Sequence, residues 1–230
     1  MAVMDVVGVK PGRVAEASGG RFVTFEGPEG AGKTTQIARL RARLESNGQS
    51  VLVTREPGGT PLGGALRSLM LDTGQLPLAP IAQALLMSAD RAQHVASVIR
   101  PALQAGTVVI SDRYVDSLYA YQGFGDGVDL ASLKAISLLA TDGLLPDLTI
   151  LLDLEPSLGL ARKRQAHEKG VSELNTMDRR PIEFHQRVRG GFKELAVADP
   201  TRFVVLDATA PAEILEWRIW RSVEAMIRIR

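Results

Sequence analysis

Near the start of the chain, Gly27-Pro28-Glu29-Gly30-Ala31-Gly32-Lys33-Thr34 matches the spacing G-x-x-x-x-G-K-[ST]. It stands between an apolar stretch, Phe22-Val23-Thr24-Phe25, and a helical pattern that opens with Thr35-Gln36-Ile37. Glycines at this spacing let successive backbone N–H groups turn into one concavity, and the helix start behind them adds positive potential. Such a loop holds a polyphosphate. Lys33 is then placed to reach the β- and γ-phosphates, and the Thr34 hydroxyl to meet Mg²⁺. A strand before the loop and a helix after it are the context this chemistry requires.

The same strand-then-helix alternation continues along the chain. Residues 21–26, 50–55, 107–111, 148–153 and 202–207 are short runs, apolar on both faces, which is how a strand covered by helices on both sides reads. Helical patterns fill residues 33–46, 62–71, 79–104, 130–141, 156–169, 181–197 and 211–227. Five strands with helical crossovers predict a doubly wound parallel sheet whose ligands sit beyond the carboxyl ends of the strands. Gly123, Gly125 and Gly127 are expected to form a flexible turn between helices. The polar segment 167–180 is readable either as a mobile lid over a site or as an ordinary solvated loop. Residues 1–20, interrupted by Asp5, Lys10, Pro11 and Arg13, lack the apolar core of a secretory signal and are expected to be a flexible extension. Residues 21–230 are then one domain.

Charge and composition narrow the function. Lys+Arg 27 against Asp+Glu 26 leaves a net charge of +1, which offers nucleic acid or anionic lipid no general attraction. Any anion must therefore be gripped locally. No apolar run approaches the ~20 residues of a membrane span. The absence of cysteine excludes disulfides, thiolate zinc sites and a cysteine nucleophile, and fits a reducing, cytoplasmic setting. His94, His167 and His185 are too scattered to form a metal site.

Two further strand ends carry charge. The second runs into Thr54-Arg55-Glu56-Pro57-Gly58-Gly59-Thr60 and the third into Asp112-Arg113-Tyr114. A phosphate cradle, an Arg-Glu pair and an Asp-Arg pair thus reach one rim of the sheet. An acid near the P-loop threonine can hold Mg²⁺ through its water shell, while arginines can hold an acceptor phosphate in line with the γ-phosphoryl group. This is the equipment of a small kinase whose acceptor is already phosphorylated. No N-K-x-D motif for reading guanine is present.

FEGPEGAGKTT, TREPGGT, LRSLML, DRYVDSLYAYQG and PDLTILLDL, in that order, are similar to the bacterial thymidylate kinase family, and the likeness extends over residues 21–227. TREPGGT and DRY followed by AYQG are its specific signatures. The resemblance implies a three-layer α/β P-loop kinase fold, a five-stranded parallel sheet with helices on both faces. It also implies conversion of dTMP to dTDP with ATP and Mg²⁺, usually by a homodimer. Carried over by position, Gly27, Glu29, Gly30, Ala31, Gly32, Lys33, Thr34 and Thr35 would hold the nucleotide phosphates. Lys33, Asp112 and Arg113 would serve catalysis, with Thr34 and Asp112 on the metal side. Glu29 would contact the acceptor sugar, Glu56 and Pro57 would shape the acceptor pocket, and Arg67 and Arg113 would hold its phosphate. Met87, Arg91, Tyr121 and Gln122 would surround its sugar and base.

Three positions depart from the family pattern. Met87 stands where a phenylalanine usually stacks on thymine, Leu118 where a small polar residue lies near the base, and Thr176 where the lid carries an arginine. Methionine has no flat π face and leucine makes no hydrogen bond, which leaves open a different or modified pyrimidine nucleoside monophosphate as acceptor. Threonine brings no charge to the transferring phosphoryl group, which leaves open a weakly catalytic nucleotide-binding paralogue, unless Arg162, Arg164, Arg179 or Arg180 substitutes.

Overall fold

The computed structural model describes residues 19–72, 78–171 and 174–228. The expected extension therefore lies almost wholly outside the described residues, as do two positions of the 167–180 segment. Five strands, β1 (Arg21–Glu26), β2 (Val51–Arg55), β3 (Val108–Asp112), β4 (Leu148–Asp153) and β5 (Phe203–Asp207), form one parallel sheet in the order β2-β3-β1-β4-β5. Each strand lies within one residue of its expected place.

Side-chain alternation divides the core between the two faces of this sheet. Val23, Phe25, Ile110, Ile150 and Leu152 point one way, and Ile37, Leu40 and Leu44 of α1 (Lys33–Ser46) pack against them. Leu215, Ile219 and Val223 of α9 (Ala212–Arg228) complete that layer. Phe22 and Val109 point the other way, onto Val95, Ile99 and Leu103. Further along the same face Leu151 meets Phe184, Val188 and Phe192 of α8 (Ile182–Ala198). β1 is central and almost entirely buried, whereas the edge strands β2 and β5 leave Val53 and Val205 exposed.

The remaining helices are α2 (Pro61–Arg67), α3 (Pro80–His94), α4 (Arg100–Gln104), α5 (Val115–Leu118), α6 (Leu130–Thr141) and α7 (Pro156–Glu168). The expected helix over residues 79–104 is continuous in path, but Val95–Ile99 is wound as a wider π turn ahead of Pro101, which has no N–H to give the preceding turn.

One expectation is overturned. Tyr119–Gly125 is a π-helical turn continuing α5, not a flexible link. Gly123 and Gly125 are buried within it, because a Cβ would stand 2.5 Å from Leu130 Cδ2 at the first and 2.5 Å from Phe184 Cε2 at the second. Glycine here serves close packing against α6 and α8.

Candidate active site

Phe25, Asp112 and Arg55 are in register at the carboxyl edge of the sheet, so the chain leaves β1, β3 and β2 at one level. The segments that follow, with α3, α7 and the wide turn, enclose a cavity of about 510 Å³. Its floor is the P-loop. Gly27, Gly30 and Gly32 have φ of 132°, 71° and 89°, the left-handed range that lets the loop curl. Gly30 also meets α7 at Gly159: a Cβ on either would come within 2.2 Å of the other segment's backbone carbonyl. Lys33 Nζ donates to the carbonyls of Gly27 and Pro28, at 2.9 Å each. Burial, seconded by Arg113, pushes the lysine down to about 8 against the pull of Asp112, Glu29 and Glu26. Thr34 and Thr35 are exposed on the cavity wall with Asp112.

Arg113 crosses the middle of the cavity. Its Nη1 donates to Gly27 O and Ser117 Oγ at 3.1 Å each, and its Nη2 to Glu29 Oε1 at 3.0 Å. Tyr121 donates its hydroxyl to the same Glu29 oxygen at 2.6 Å, and its ring lies 4.9 Å from the guanidinium. Burial works to raise the Glu29 carboxyl, but neighbouring His185, Arg113, Lys33 and the Tyr121 hydroxyl outweigh it and hold the group well below the usual carboxylate range. His185 Nδ1 stands 3.7 Å from Glu29 Oε2, and its Nε2 is buried with no hydrogen-bond partner.

Where the chain leaves β2, Glu56 is buried between Arg91 Nε at 2.7 Å and His94 Nδ1 at 3.0 Å. His94 Nε2 meets Thr54 Oγ1 at 2.6 Å, and Asp90 accepts the Gly58 N–H at 3.2 Å. Burial and the nearby Glu56 push Asp90 up to about 6. This buried lattice ties α3 to the Glu56-Pro57-Gly58-Gly59 turn, from which Pro57 O accepts Arg67 Nη1 at 3.3 Å.

Comparison with known proteins decides the family. The family model described as thymidylate kinase matches residues 25–219. A thymidylate kinase of Deinococcus radiodurans is 52% identical over 206 residues, covering 90% of this chain and 97% of that protein. One from Thermomicrobium roseum is 50% identical over 207 residues, covering 90% and 96%. The chain belongs to the thymidylate kinase family. A crystal structure of the thymidylate kinase from Ehrlichia chaffeensis, 30% identical, superposes with a TM-score of 0.70 over 89% of this chain and 98% of that one. The P-loop kinase fold is therefore established along with the family.

Most of the residues expected at a thymidylate kinase site line the cavity: Glu29 to Thr35, Glu56, Pro57, Arg67, Met87, Asp112, Arg113, Tyr121 and Gln122. Two do not. Gly27 lies beneath, offering its carbonyl to Lys33 and Arg113. Arg91 is fully buried one layer back, committed to Glu56 and to Tyr114 O at 3.1 Å, with Nη1 left without a partner.

The departures from the thymidylate kinase pattern look different in three dimensions. Leu118 is not at the cavity wall; it packs with Ala84 and Leu133 under α3 and α6, so no base edge faces it. Thr176 donates to Met70 O at 3.3 Å. Of the four arginines weighed as substitutes, only Arg162 lines the cavity, where its Nη1 donates to Gly30 O and Ala208 O at 3.3 Å each. Arg180 is paired with Asp126 and lies over the Phe184 ring, and Arg179 points outward.

Sequence reasoning overlooked Gln83 and Ser117. Gln83 accepts Gln122 Nε2 at 3.3 Å and lines the cavity beside Met87. Its spacing, i and i+4 with Met87 on one helix, was the available signal. Ser117, on the short helix α5 that follows the Arg113 turn, lines the cavity and accepts Arg113 Nη1.

Proposed function

We propose that this protein phosphorylates dTMP to dTDP by transferring the γ-phosphoryl group of ATP in line to the 5′-phosphate of the acceptor. The observation that carries the reading is the convergence, in one cavity of a thymidylate kinase chain, of the P-loop and the Arg113-Glu29-Tyr121 cluster. An acceptor phosphate is already an anion, so no side chain need remove a proton. The attacking phosphate oxygen bonds to the γ-phosphorus as the bond to the β,γ-bridging oxygen breaks, and ADP leaves with that electron pair. No covalent enzyme intermediate forms.

The residues of this chain bind, align and neutralise. Lys33 exchanges the carbonyls of Gly27 and Pro28 for phosphate oxygens, while Arg113 and Arg67 hold the acceptor phosphate. Glu29 and Tyr121 meet the acceptor sugar. Gln83 and Gln122 present amides to the base, against which Met87 packs. Arg162 supplies a cation beside the P-loop, so a threonine at 176 does not leave that side without one.

Thr34 and Asp112 fit Mg²⁺: both line the cavity beside the P-loop and both offer hard oxygen atoms. Bound there with the nucleotide, Mg²⁺ would neutralise charge on the phosphate oxygens. Segment 167–180 would act as the lid of a single domain spanning residues 21–230. Exposed Ile81 and Leu85, one turn apart on α3, with exposed Leu138 and Leu139 on α6, supply an apolar face for a homodimer, which sedimentation returning only monomer would refute. A cysteine-free chain using ATP fits the reducing cytoplasm.

A coupled assay of ADP release tests the reaction, with dTMP, dUMP, UMP, CMP, AMP and GMP offered in turn. Highest kcat/KM is expected with dTMP. Another winner overturns the base assignment, and no turnover despite ATP binding overturns the kinase.

A further inference from the structure

Behind Arg113 lies a buried carboxylate that the chemistry above does not use. Glu26, the last residue of β1, is wholly shielded from solvent. Its Oε1 accepts the Tyr114 N–H at 2.8 Å and its Oε2 accepts the Ser117 hydroxyl at 2.6 Å. Ser117 Oγ in turn accepts Arg113 Nη1 at 3.1 Å. An unbroken chain of hydrogen bonds thus runs from Glu26 to the guanidinium in the cavity.

Arg113 needs such support. Its φ of 73° is left-handed, an unfavourable conformation for a residue with a Cβ, and it persists only where the surroundings over-determine it. The Arg113 N–H is held by Phe25 O at 3.0 Å, and its carbonyl accepts the Ser111 hydroxyl at 2.7 Å. Glu26 fixes the next amide. Packing alone does not explain the choice of glutamate, because burying a carboxylate is costly and an apolar side chain of similar volume would fill the same space. An apolar side chain could accept neither Tyr114 N–H nor Ser117 O–H.

We propose that Glu26 is a positioning residue for phosphoryl transfer, stapling the turn after β3 so that Arg113 is aimed at the acceptor phosphate. The inference rests on the reading of Arg113 as the anchor of that phosphate. Arg113, Asp116 on α5, Lys33 on the P-loop and Tyr121 on the wide turn are the charged or titratable groups around Glu26. Asp116 is itself paired with Arg202 at 2.6 and 2.9 Å, so Glu26 lies beside a fixed ion pair joining α5 to the residue that precedes β5.

Steady-state kinetics and ATP titration calorimetry on the full chain test this with Glu26→Gln, Ser117→Ala, their double variant and Arg113→Lys. Glu26→Gln is expected to lower kcat/KM for dTMP by about tenfold to a hundredfold, the scale of a misaimed group, while ATP affinity stays within about twofold. Ser117→Ala should lose in the same direction, and the double variant should be no worse than the worse single, since both break one chain. Unchanged dTMP kinetics in Glu26→Gln, an equal loss of ATP affinity, or additive losses would overturn the proposal. Should Glu26→Gln fail to fold, Ser117→Ala decides alone, and wild-type kinetics in it would overturn the proposal. Arg113→Lys separates the two levels. If it leaves kcat/KM for dTMP intact, the anchor reading fails; if it is crippled while Glu26→Gln is not, only the role of Glu26 fails.

Discussion

The two ends of the cavity are made of different materials. At the phosphate end the ligand would meet backbone amides, three left-handed glycines and a few charged groups fixed within the turns that follow β1 and β3. At the base end it would meet side chains alone, Gln83 and Met87 from α3 and Gln122 from the wide turn, brought together by helix packing. The first is dictated by local sequence, since loop conformation, helix start and strand edge are consecutive in the chain. The second depends on how α3 settles against α5 and α6. Substitutions should therefore cost most where the site is backbone-built and charged, and least where it is assembled from neutral side chains.

The sharpest way to break that contrast is Lys33→Met. We expect kcat to fall by roughly a thousandfold, the scale of losing one preorganised charge from a transferring group. Thermal stability should not fall with it. Burial already disfavours the charged lysine, so the fold loses no net support when the charge is removed. A kcat within tenfold of wild type would show that the P-loop lysine is not where the phosphate end concentrates its effect.

Next in size comes a contrast within the phosphate end. Glu29 is held far down by its cationic and hydroxyl partners, whereas Glu26, three residues earlier, is pushed by burial and by Asp116 from 4.5 up to about 7. A carboxyl raised in this way favours its protonated form in the folded state. Its contribution to stability is fully present below pH 4.5 and is lost as pH rises through about 7, up to roughly 3 kcal/mol in all. Melting curves of wild type and Glu26→Gln between pH 4.5 and 8 should therefore diverge, the wild type losing stability relative to the variant as pH rises. Parallel curves would mean that Glu26 carries no such displacement. Activity is expected to run the opposite way, because the ionised form accepts both Tyr114 N–H and Ser117 O–H. The enzyme then gains alignment where it gives up stability.

This division also explains what could be read from the residues alone. The sheet was legible because short runs apolar on both faces alternate with helical patterns, the rhythm of a parallel sheet with helical crossovers, and the P-loop because its chemistry is contiguous. The wide turn at Tyr119–Gly125 was not, since its glycines look like flexibility until Leu130 and Phe184 are seen against them. Arg91 was expected to meet the base but is held behind Glu56, and Leu118 was expected there but faces α6. Both errors concern the direction in which a helical side chain points, which the packing partners decide. Gln83 was missed for the same reason.

The smallest expected effect tests the base end directly. Gln83→Leu removes the acceptor of Gln122 Nε2, leaving an amide donor with neither partner nor competitor on the cavity wall. If the two amides read the base together, KM for dTMP should rise about fivefold, with kcat and KM for ATP little changed, because a neutral hydrogen bond contributes on the order of 1 kcal/mol. The phosphate end would still align whatever acceptor binds. A fall in kcat as large as that of Lys33→Met would mean that base contacts are coupled to phosphoryl transfer, and the two ends would have to be treated as one device. No change at all would place the reading of the base on Gln122 and on Met87, one turn along the same helix from Gln83.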